Sequence, residues 1–233
     1  MRTIYRAAVE EATAMPPALC VTPNTVTQSV FGDRLYFPLK RFVDVVVAAI
    51  FLVIVSPFLL LVALAIYIDN PGPILYKQKR YGHLGKPFNF YKFRSMVSDA
   101  DARKAGLAAQ NEATGKTFKM KRDPRITRVG RIIRKYSLDE TPQMLNVLAG
   151  QISIVGPRPL PLAELDMDDP RHAARQCVKP GLMCFREIMG RSNLSFEEWL
   201  ELDLKYIRER SLRVDVWIML RAIPCVLLGR GAF

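Results

Sequence analysis

The feature that most constrains this chain is a run of about 24 residues, Val45–Ile68, that carries no charged side chain. A helix needs about 20 apolar residues to cross the hydrocarbon core of a bilayer. The run therefore predicts a membrane helix, and the rest of the chain must fold beside it.

Ser56 and Pro57 stand near the middle of this run and leave its topology open. Proline removes a helical hydrogen bond and clashes with the preceding turn, so the helix is expected to kink or to turn back here. Both flanks of the run are basic, and orientation is set by an asymmetry of Lys and Arg, so the flanks do not decide between a kinked span and a re-entrant hairpin. The flanking basic residues are Arg34, Lys40 and Arg41 before the run and Lys77, Lys79 and Arg80 after it.

The composition indicates anionic partners and a reducing compartment. Half of the 233 residues are hydrophobic, yet the formal net charge is +12. This balance fits contact with anionic lipid headgroups, nucleic acid or phosphorylated substrates. The four cysteines lie far apart without a C-x-x-C pair, which disfavours a zinc site or a disulfide framework. They are Cys20, Cys177, Cys184 and Cys225.

The residues before the run are predicted to form an arm. Met1–Asp33 has no sustained period, and Glu10, Glu11, Pro16 and Pro17 interrupt the apolar core that a signal peptide requires. We expect a partly disordered extension on the cytoplasmic side.

Two short extended segments follow the membrane run. Ile74–Lys79 and Phe88–Phe93 flank a glycine-containing loop and predict a small β-hairpin. On a strand, Lys92 and Arg94 would share a face. This pattern indicates either a phosphate clamp or a solvated basic strand.

The segment with the most suggestive chemistry is Lys121–Pro159, in which basic side chains surround an adjacent acid pair, Asp139 and Glu140. A site that handles phosphate together with a metal needs this combination. The acids also fit a helix N-terminus, because Ser137 and Glu140 match a capping box, although adjacent carboxylates cannot both be caps. Arg158, in the sequence GPRP, is predicted to be either a rigid phosphate ligand or an incidental loop arginine.

Five arginines spaced by three residues form a ladder in the same segment. A solvated face, a lipid-headgroup face and a nucleic-acid face all fit this spacing. Against nucleic acid, no aromatic residues are interleaved with the arginines. The ladder consists of Arg122, Arg125, Arg128, Arg131 and Arg134.

The C-terminal third is predicted to be helical and amphipathic. Ser195–Glu198 is a capping box that precedes an apolar helical face. Arg213–Leu228 is mostly apolar but is interrupted by Pro224. We expect a helix that lies in the membrane interface or against the membrane segment.

Several motifs follow one another in a fixed order: KRFVDVV, SPFLL, GPILYKQKRYG, YKFRSM, DPRITRVGRIIRKYSLDETPQMLNVL, GQISIVGPRPL, VKPGL, LDLKYI and SLRVDVW. This order, from about Leu39 to Phe233, resembles that of the bacterial sugar transferase family, the monotopic phosphoglycosyl transferases. The resemblance implies transfer of a hexose 1-phosphate from a UDP-sugar to polyprenyl (undecaprenyl) phosphate with Mg²⁺. Release of UMP would start the synthesis of an exopolysaccharide or another surface glycan.

The resemblance also assigns roles to individual residues. Asp139 matches the nucleophile that forms a covalent aspartyl-phosphosugar intermediate, and Glu140 matches its magnesium-binding neighbour. A break at Ser56 and Pro57 makes the membrane helix re-entrant. The remaining matched active-site positions are Lys92, Arg134, Arg158 and Asp215.

One loop departs from the family pattern. Where family members commonly read PGITGxxQ, this chain has Met183 and Cys184 in place of Thr and Gly, and Glu187 in place of Gln. The change puts nucleotide or sugar recognition by this loop in doubt. The altered loop leaves open the alternative of a catalytically inactive membrane scaffold, and the arginine ladder leaves open that of a basic membrane-tethered nucleic-acid-binding protein.

The predicted fold is α+β and mostly helical, with a re-entrant membrane helix, a small β-hairpin and interfacial amphipathic helices around a compact cytoplasmic catalytic domain. We divide the chain into an N-terminal arm (1–38), the membrane helix (39–70) and the catalytic domain (71–233). The expected location is the bacterial inner membrane, with the catalytic domain facing the cytoplasm. The expected partners are a UDP-sugar, polyprenyl phosphate and membrane lipid, without nucleic acid, and a homodimer is one option for assembly.

Overall fold

The computed structural model describes residues 30–112, 120, 122–164, 169–189 and 194–227. Within these ranges the chain is mostly helical and has two small two-stranded sheets, which confirms the predicted class in its coarse outline. Most of the predicted arm, residues 1–29, lies outside the described residues.

One long helix, α1 (Val30–Asp69), contains the whole apolar run and begins before the predicted boundary at residue 39. Its segment Leu35–Asp69 is long and apolar enough to cross a membrane, and an 18-residue window within it has a mean hydropathy of 3.1. Pro57 lies inside the helix. Because a proline has no N–H, the carbonyl of Val53 loses its usual donor. The Ser56 hydroxyl donates to that carbonyl at 3.1 Å, so the side chain replaces the missing hydrogen bond.

The two halves of α1 pack on different parts of the protein. The first half buries Ala48 in the main core, and the second half buries Val62 and Ile66 in a separate small core. Side chains between these contacts are exposed, among them Val53 (75%) and Leu60 (71%). The long helix is therefore held to the protein at both ends and is apolar and uncovered in between.

Two small sheets support the loops of the site. The predicted hairpin is confirmed: β1 (Leu75–Tyr81) pairs with β2 (Pro87–Phe93) in antiparallel register. The second sheet pairs β3 (Ser153–Val155) in parallel with β4 (Gly181–Met183). A Cβ atom on Gly181 would lie 2.0 Å from the backbone nitrogen of Gly156, so these two segments approach as closely as only glycine allows.

Short helices surround the sheets. The main core joins β2, β3 and the first half of α1 to four of these helices, and its fully buried members include Phe90, Val147, Ile152, Val155 and Ile218. The helices are α2 (Ala100–Arg103), α3 (Arg128–Lys135), α4 (Gln143–Leu148), α5 (Pro170–Gln176), α6 (Phe185–Met189), α7 (Phe196–Glu209) and α8 (Leu212–Leu227). Helical 3₁₀ turns occupy His83–Gly85, Ala105–Gln110, Leu138–Glu140 and Leu162–Glu164.

The arginine ladder does not form one continuous helical face. Helix α3 begins only at Arg128, where the Thr127 hydroxyl accepts from Gly130 N at 2.9 Å. Arg125 is buried in an ion pair with Asp123 at 2.6 Å instead. The ladder thus divides into a buried structural arginine, exposed arginines and Arg134 near the acid pair.

The predicted C-terminal helices are present. The capping box at Ser195 and Glu198 is confirmed at the start of α7. Helix α8 buries Ile218 in the main core and exposes apolar side chains on another face. These exposed side chains are Val216, Trp217, Leu220 and Ile223.

Candidate active site

The acid pair lies on the 3₁₀ turn between α3 and α4. Ser137 precedes the turn in a left-handed conformation with φ of 55°, and its side chain makes no capping hydrogen bond. The predicted capping box at Ser137 and Glu140 is therefore wrong, because a residue in the left-handed conformation does not have the extended backbone of a helix N-cap. Asp139 caps no helix either, since α4 begins after Pro142. Both carboxylates are available for other contacts.

Two cations from distant parts of the chain hold Glu140. Lys92 of β2 donates from Nζ to Oε1 at 2.7 Å. Arg158 contacts both oxygens, with Nη2 donating to Oε1 and Nη1 donating to Oε2 at 3.3 Å. The three side chains are between 16% and 21% exposed, so the cluster is shielded but reachable from solvent. The hairpin and the GPRP loop thus meet at this carboxylate.

Asp139 differs from its neighbour because it is buried without a hydrogen bond. It is 8% exposed, and no side chain or backbone group in the described part of the chain donates to its carboxylate. Burial raises the pKa of Asp139 to about 6; Lys92 opposes this effect, and the negative charge of Glu140 adds to it. The carboxylate is still mostly ionised at pH 7 and is poorly solvated.

The pKa of Glu140 moves in the opposite direction. Burial alone would raise it, but the ion pairs with Arg158 and Lys92 outweigh that effect and hold it well below its usual range. Two adjacent carboxyl groups with pKa values pushed apart are typical of a site in which each has a separate chemical role.

The predicted site residues do not all come together. Arg134, in the last turn of α3, is close enough to Asp139 for its charge to lower the pKa of that carboxyl. Asp215, on α8, is buried elsewhere. Its Oδ2 accepts from Lys40 at 2.7 Å and from Tyr36 at 3.0 Å, and its Oδ1 accepts from Tyr206 at 2.8 Å. None of the contacts described for Asp215 reaches the acid pair.

The loop that departs from the family pattern borders the site. Glu187 Oε1 lies 3.6 Å from Nη1 of Arg158. Its Oε2 accepts from the backbone nitrogen of Cys184 at 3.0 Å and from the thiol at 2.7 Å. Burial, together with the charge of Glu187, raises the pKa of Cys184 well above its usual value, so the thiol stays protonated as a donor. Arg158 is therefore flanked by two carboxylates, Glu140 and Glu187.

Sequence reasoning missed Arg80 as a member of this region. It is 8% exposed, and its charge acts on both Arg158 and Glu140. The signal that could have found it is the alternation along β1, since Gln78 and Arg80 share the covered face of the strand. Burial, with the nearby Arg158, lowers the pKa of Arg80 to about 10, which leaves it charged at neutral pH.

The donor chemistry of the acid pair fits Mg²⁺. This ion is usually held by one or two carboxylates, with waters and substrate phosphates completing its octahedron. No cluster of three or more His, Cys, Asp or Glu side chains suited to a metal occurs in the described ranges. Glu140 would therefore hold the ion only in part, and a phosphorylated substrate would have to supply further oxygens.

Comparison with known proteins shows the family to which the chain is similar. Residues 35–229 match the family model described as bacterial sugar transferase. The galactosyl transferase CpsE of Streptococcus agalactiae is 42% identical over 194 residues, which cover 83% of this chain and 43% of CpsE. The exopolysaccharide production protein ExoY of Sinorhizobium fredii is 37% identical over 198 residues, covering 83% of this chain and 88% of ExoY. A UDP-glucose:undecaprenyl-phosphate glucose-1-phosphate transferase of Escherichia coli is 38% identical over 203 residues, covering 84% of this chain and 41% of that protein.

The chain thus spans less than half the length of CpsE and of the Escherichia coli relative, and most of the length of ExoY. These matches give no support to the nucleic-acid-binding or inactive-scaffold alternatives. They confirm the resemblance read from the motifs, and the chain belongs to the bacterial sugar transferase family.

Proposed function

We propose that this protein transfers a hexose 1-phosphate from a UDP-sugar to polyprenyl phosphate, and so starts the synthesis of an exopolysaccharide or another surface glycan. The observation that carries the proposal is the juxtaposition of two carboxylates: Asp139 is buried and accepts no hydrogen bond from the described residues, and Glu140 is held by Lys92 and Arg158. Relatives named as undecaprenyl-phosphate sugar phosphotransferases support the choice of substrates.

The first chemical step is attack by an Asp139 oxygen on the phosphorus that bears the sugar. A new Asp139–phosphorus bond forms, the bond to the bridging oxygen breaks, and UMP leaves with that oxygen. In the second step, an oxygen of polyprenyl phosphate attacks the same phosphorus and displaces the Asp139 carboxylate. The atoms balance without a general base, because a carboxylate and a phosphate are already nucleophilic when ionised.

Positive side chains must offset the repulsion between an anionic nucleophile and an anionic diphosphate. Lys92 and Arg158 are fixed on one side of the acid pair, and Arg134 acts on Asp139 from α3. An arginine binds two phosphate oxygens at once, so Arg158 can orient the diphosphate as well as neutralise it. A Mg²⁺ ion held by Glu140 would add positive charge at the phosphate oxygens.

We propose that α1 enters and leaves the membrane on the cytoplasmic face, with a turn at Ser56 and Pro57. Polar contacts on both sides of the apolar middle support this topology. On one side, Arg41 donates to the carbonyls of Val147 and Leu148 at 2.6 and 2.8 Å. On the other side, the Asp69 carboxylate accepts from the backbone nitrogen of Val129 at 3.0 Å, at the start of α3.

Cysteine labelling tests this topology. In a cysteine-free background, Leu35→Cys and Lys77→Cys place exposed thiols before and after the apolar run. With spheroplasts, an impermeant thiol reagent should label neither site until the membrane is opened. Labelling of only one of the two sites in intact spheroplasts would establish a straight span instead.

A nucleotide-release screen tests the reaction. The purified protein is mixed with polyprenyl phosphate, Mg²⁺ and each of several UDP-sugars, and UMP is measured. We expect release with at least one UDP-hexose, and release that depends on the lipid acceptor beyond a first turnover. Absence of UMP with every UDP-sugar would refute the proposed reaction.

A further inference from the structure

The GPRP loop, residues 156–159, can be anchored mainly through its carbonyl groups. Pro157 and Pro159 fix φ within the loop but have no N–H to donate. The carbonyls of three successive residues each accept a hydrogen bond. The carbonyl of Pro157 accepts from Gly181 N at 2.9 Å, and the next two accept from buried guanidinium groups.

Arg80 holds the last of these carbonyls. Its Nη1 donates to the Pro159 carbonyl at 2.5 Å. The guanidinium cannot swing freely, because Nε and Nη2 both donate to Gln78 Oε1, at 3.1 and 2.9 Å. It also lies 4.4 Å from the centre of the Phe90 ring, and Lys92 Nζ lies 5.7 Å from the same ring. One buried ring thus contacts both the arginine behind the loop and the lysine that holds Glu140.

Arg175 holds the carbonyl of Arg158 itself. Its Nη2 donates to that oxygen at 2.8 Å. Asp203 fixes the guanidinium with contacts of 2.8 Å at Nε and 2.5 Å at Nη2. Arg175 is 6% exposed and Asp203 is 1% exposed. Two buried arginines, one on β1 and one on α5, therefore hold adjacent carbonyls of the loop.

The loop borders a small pocket of about 20 Å³, lined by residues that include Pro157, Pro159, Arg175 and Pro180. Its first residue, Gly156, packs against Gly181 and donates to the Met183 carbonyl at 2.9 Å. These backbone contacts hold the start of the loop, and the hydrogen bonds from the two arginines hold the two residues that follow Pro157.

We propose that Arg80 and Arg175 are positioning residues that aim Arg158 at the diphosphate. This inference rests on the proposed transferase reaction, in which Arg158 orients the reacting phosphate. A displacement of about 1 Å in a group that positions substrate can cost about 100-fold in rate. Neither arginine hydrogen-bonds to the acid pair within the described ranges, so each acts mainly through the loop, although the charge of Arg80 also acts on Glu140.

Single substitutions measure this effect against a matched control. We expect Arg80→Met and Arg175→Met to lower kcat about 10- to 100-fold per folded protein. KM for the UDP-sugar should change less than about 3-fold, because Arg158 keeps its charge and only the orientation of its guanidinium changes. The control is Arg125→Met, a buried arginine that is also ion-paired but contacts neither the loop nor the acid pair. It should lose thermal stability while kcat stays within about 3-fold.

A double-mutant cycle separates positioning from general destabilisation. In an Arg158→Lys background, Arg80→Met should reduce kcat by less than about 3-fold, because two residues that act through one group are not additive. If the Met variants do not fold, Arg80→Lys and Arg175→Lys replace them in the same cycle. Losses that multiply across the cycle, or an equal loss in Arg125→Met, would overturn the inference. Failure of the wild-type protein to release UMP would instead refute the proposed reaction.

Discussion

Two buried carboxylate clusters in this molecule use similar residues and differ in what they leave unpaired. Glu140 and Asp215 each accept from a lysine at 2.7 Å. Every oxygen of Asp215 is satisfied by side chains of α1 and α7, and its side chain is 5% exposed. Beside Glu140, in contrast, stands Asp139, a buried carboxylate that no described group hydrogen-bonds. The two clusters carry similar charges, and they differ in the second carboxylate, Asp139, that stands beside the ion-paired one.

The largest expected effect comes from removing the unpaired carboxylate. Asp139→Asn should reduce UMP release at least about 1,000-fold, because an amide cannot take the place of the nucleophile. Thermal unfolding should show stability at pH 7 equal to or above that of the wild type, since the substitution removes a buried charge without a hydrogen bond. Retained turnover in this variant would contradict the covalent mechanism.

Neutralising the held carboxylate should have a smaller effect. Glu140→Gln keeps the side-chain shape and one acceptor oxygen but removes the charge that pairs with Lys92 and Arg158. We expect kcat/KM to fall about 100-fold and the half-saturating Mg²⁺ concentration to rise. The matched comparison is Asp215→Asn. Equal losses of kcat/KM in the two variants would contradict the distinction between the two clusters.

Acidification should reduce the first half-reaction through Asp139. With a pKa of about 6, the nucleophile is protonated below pH 6, and the rate should fall about 10-fold for each further pH unit. The measurement is rapid UMP release without lipid acceptor, which removes the titration of the acceptor phosphate from the profile. A flat profile between pH 5 and 8 would contradict the raised pKa.

The same pKa fixes the sign of the stability effect. A carboxyl with a folded pKa of about 6 and an unfolded pKa of about 3.9 binds more protons when folded within that window. Its contribution to stability is therefore present below about pH 4 and lost as the pH rises through 6. Asp139→Asn should remove this part of the pH dependence of unfolding.

A small effect is expected at the edge of the site. Glu187→Gln removes a negative charge 3.6 Å from Arg158 and restores the residue of the common family pattern. We expect KM for the UDP-sugar to fall about 3-fold, because the Glu187 carboxylate then no longer competes with the diphosphate for the charge of Arg158. A rise in KM would show instead that Glu187 contacts the substrate favourably.

The smallest expected effect on turnover belongs to the satisfied cluster. Asp215→Asn should leave kcat within about 3-fold per folded protein, since Asp215 contacts none of the acid pair. It should lower the free energy of unfolding by about 3 kcal/mol, because Lys40 loses its buried partner. A selective loss of kcat with unchanged stability would return Asp215 to the catalytic residues implied by the family resemblance.

The sequence predicted what depends on local pattern. The apolar run, the hairpin and the capping box at Ser195 are periodic or short-range signals, and all three are present. The contact of Lys92 with Glu140 joins residues 48 positions apart, and no periodicity encodes such a distance. The family motifs assigned both residues to one site, but they did not indicate that the two side chains form an ion pair.

The remaining differences have two physical causes. At Ser137, a left-handed backbone residue overrides a pattern that reads as a capping box. The burial pattern was readable at Arg80 as strand alternation and at Asp215 as helical periodicity, but the partners of a buried charge depend on tertiary packing. A sequence can indicate that a charged residue faces inward, yet the three-dimensional neighbours decide whether it binds substrate or stabilises the fold.

The Ser56 hydroxyl, which donates to the Val53 carbonyl at Pro57, has a consequence for how the helix can sit in lipid. Bends in soluble helices are commonly hydrated, and a water molecule serves the carbonyl that proline leaves without a donor. Here the chain carries that donor itself, on a residue that the rest of the protein does not cover. A bend at this point needs neither water nor a neighbouring helix to satisfy the Val53 carbonyl. It can therefore lie deep among the acyl chains, where a carbonyl without a hydrogen-bond donor would be costly.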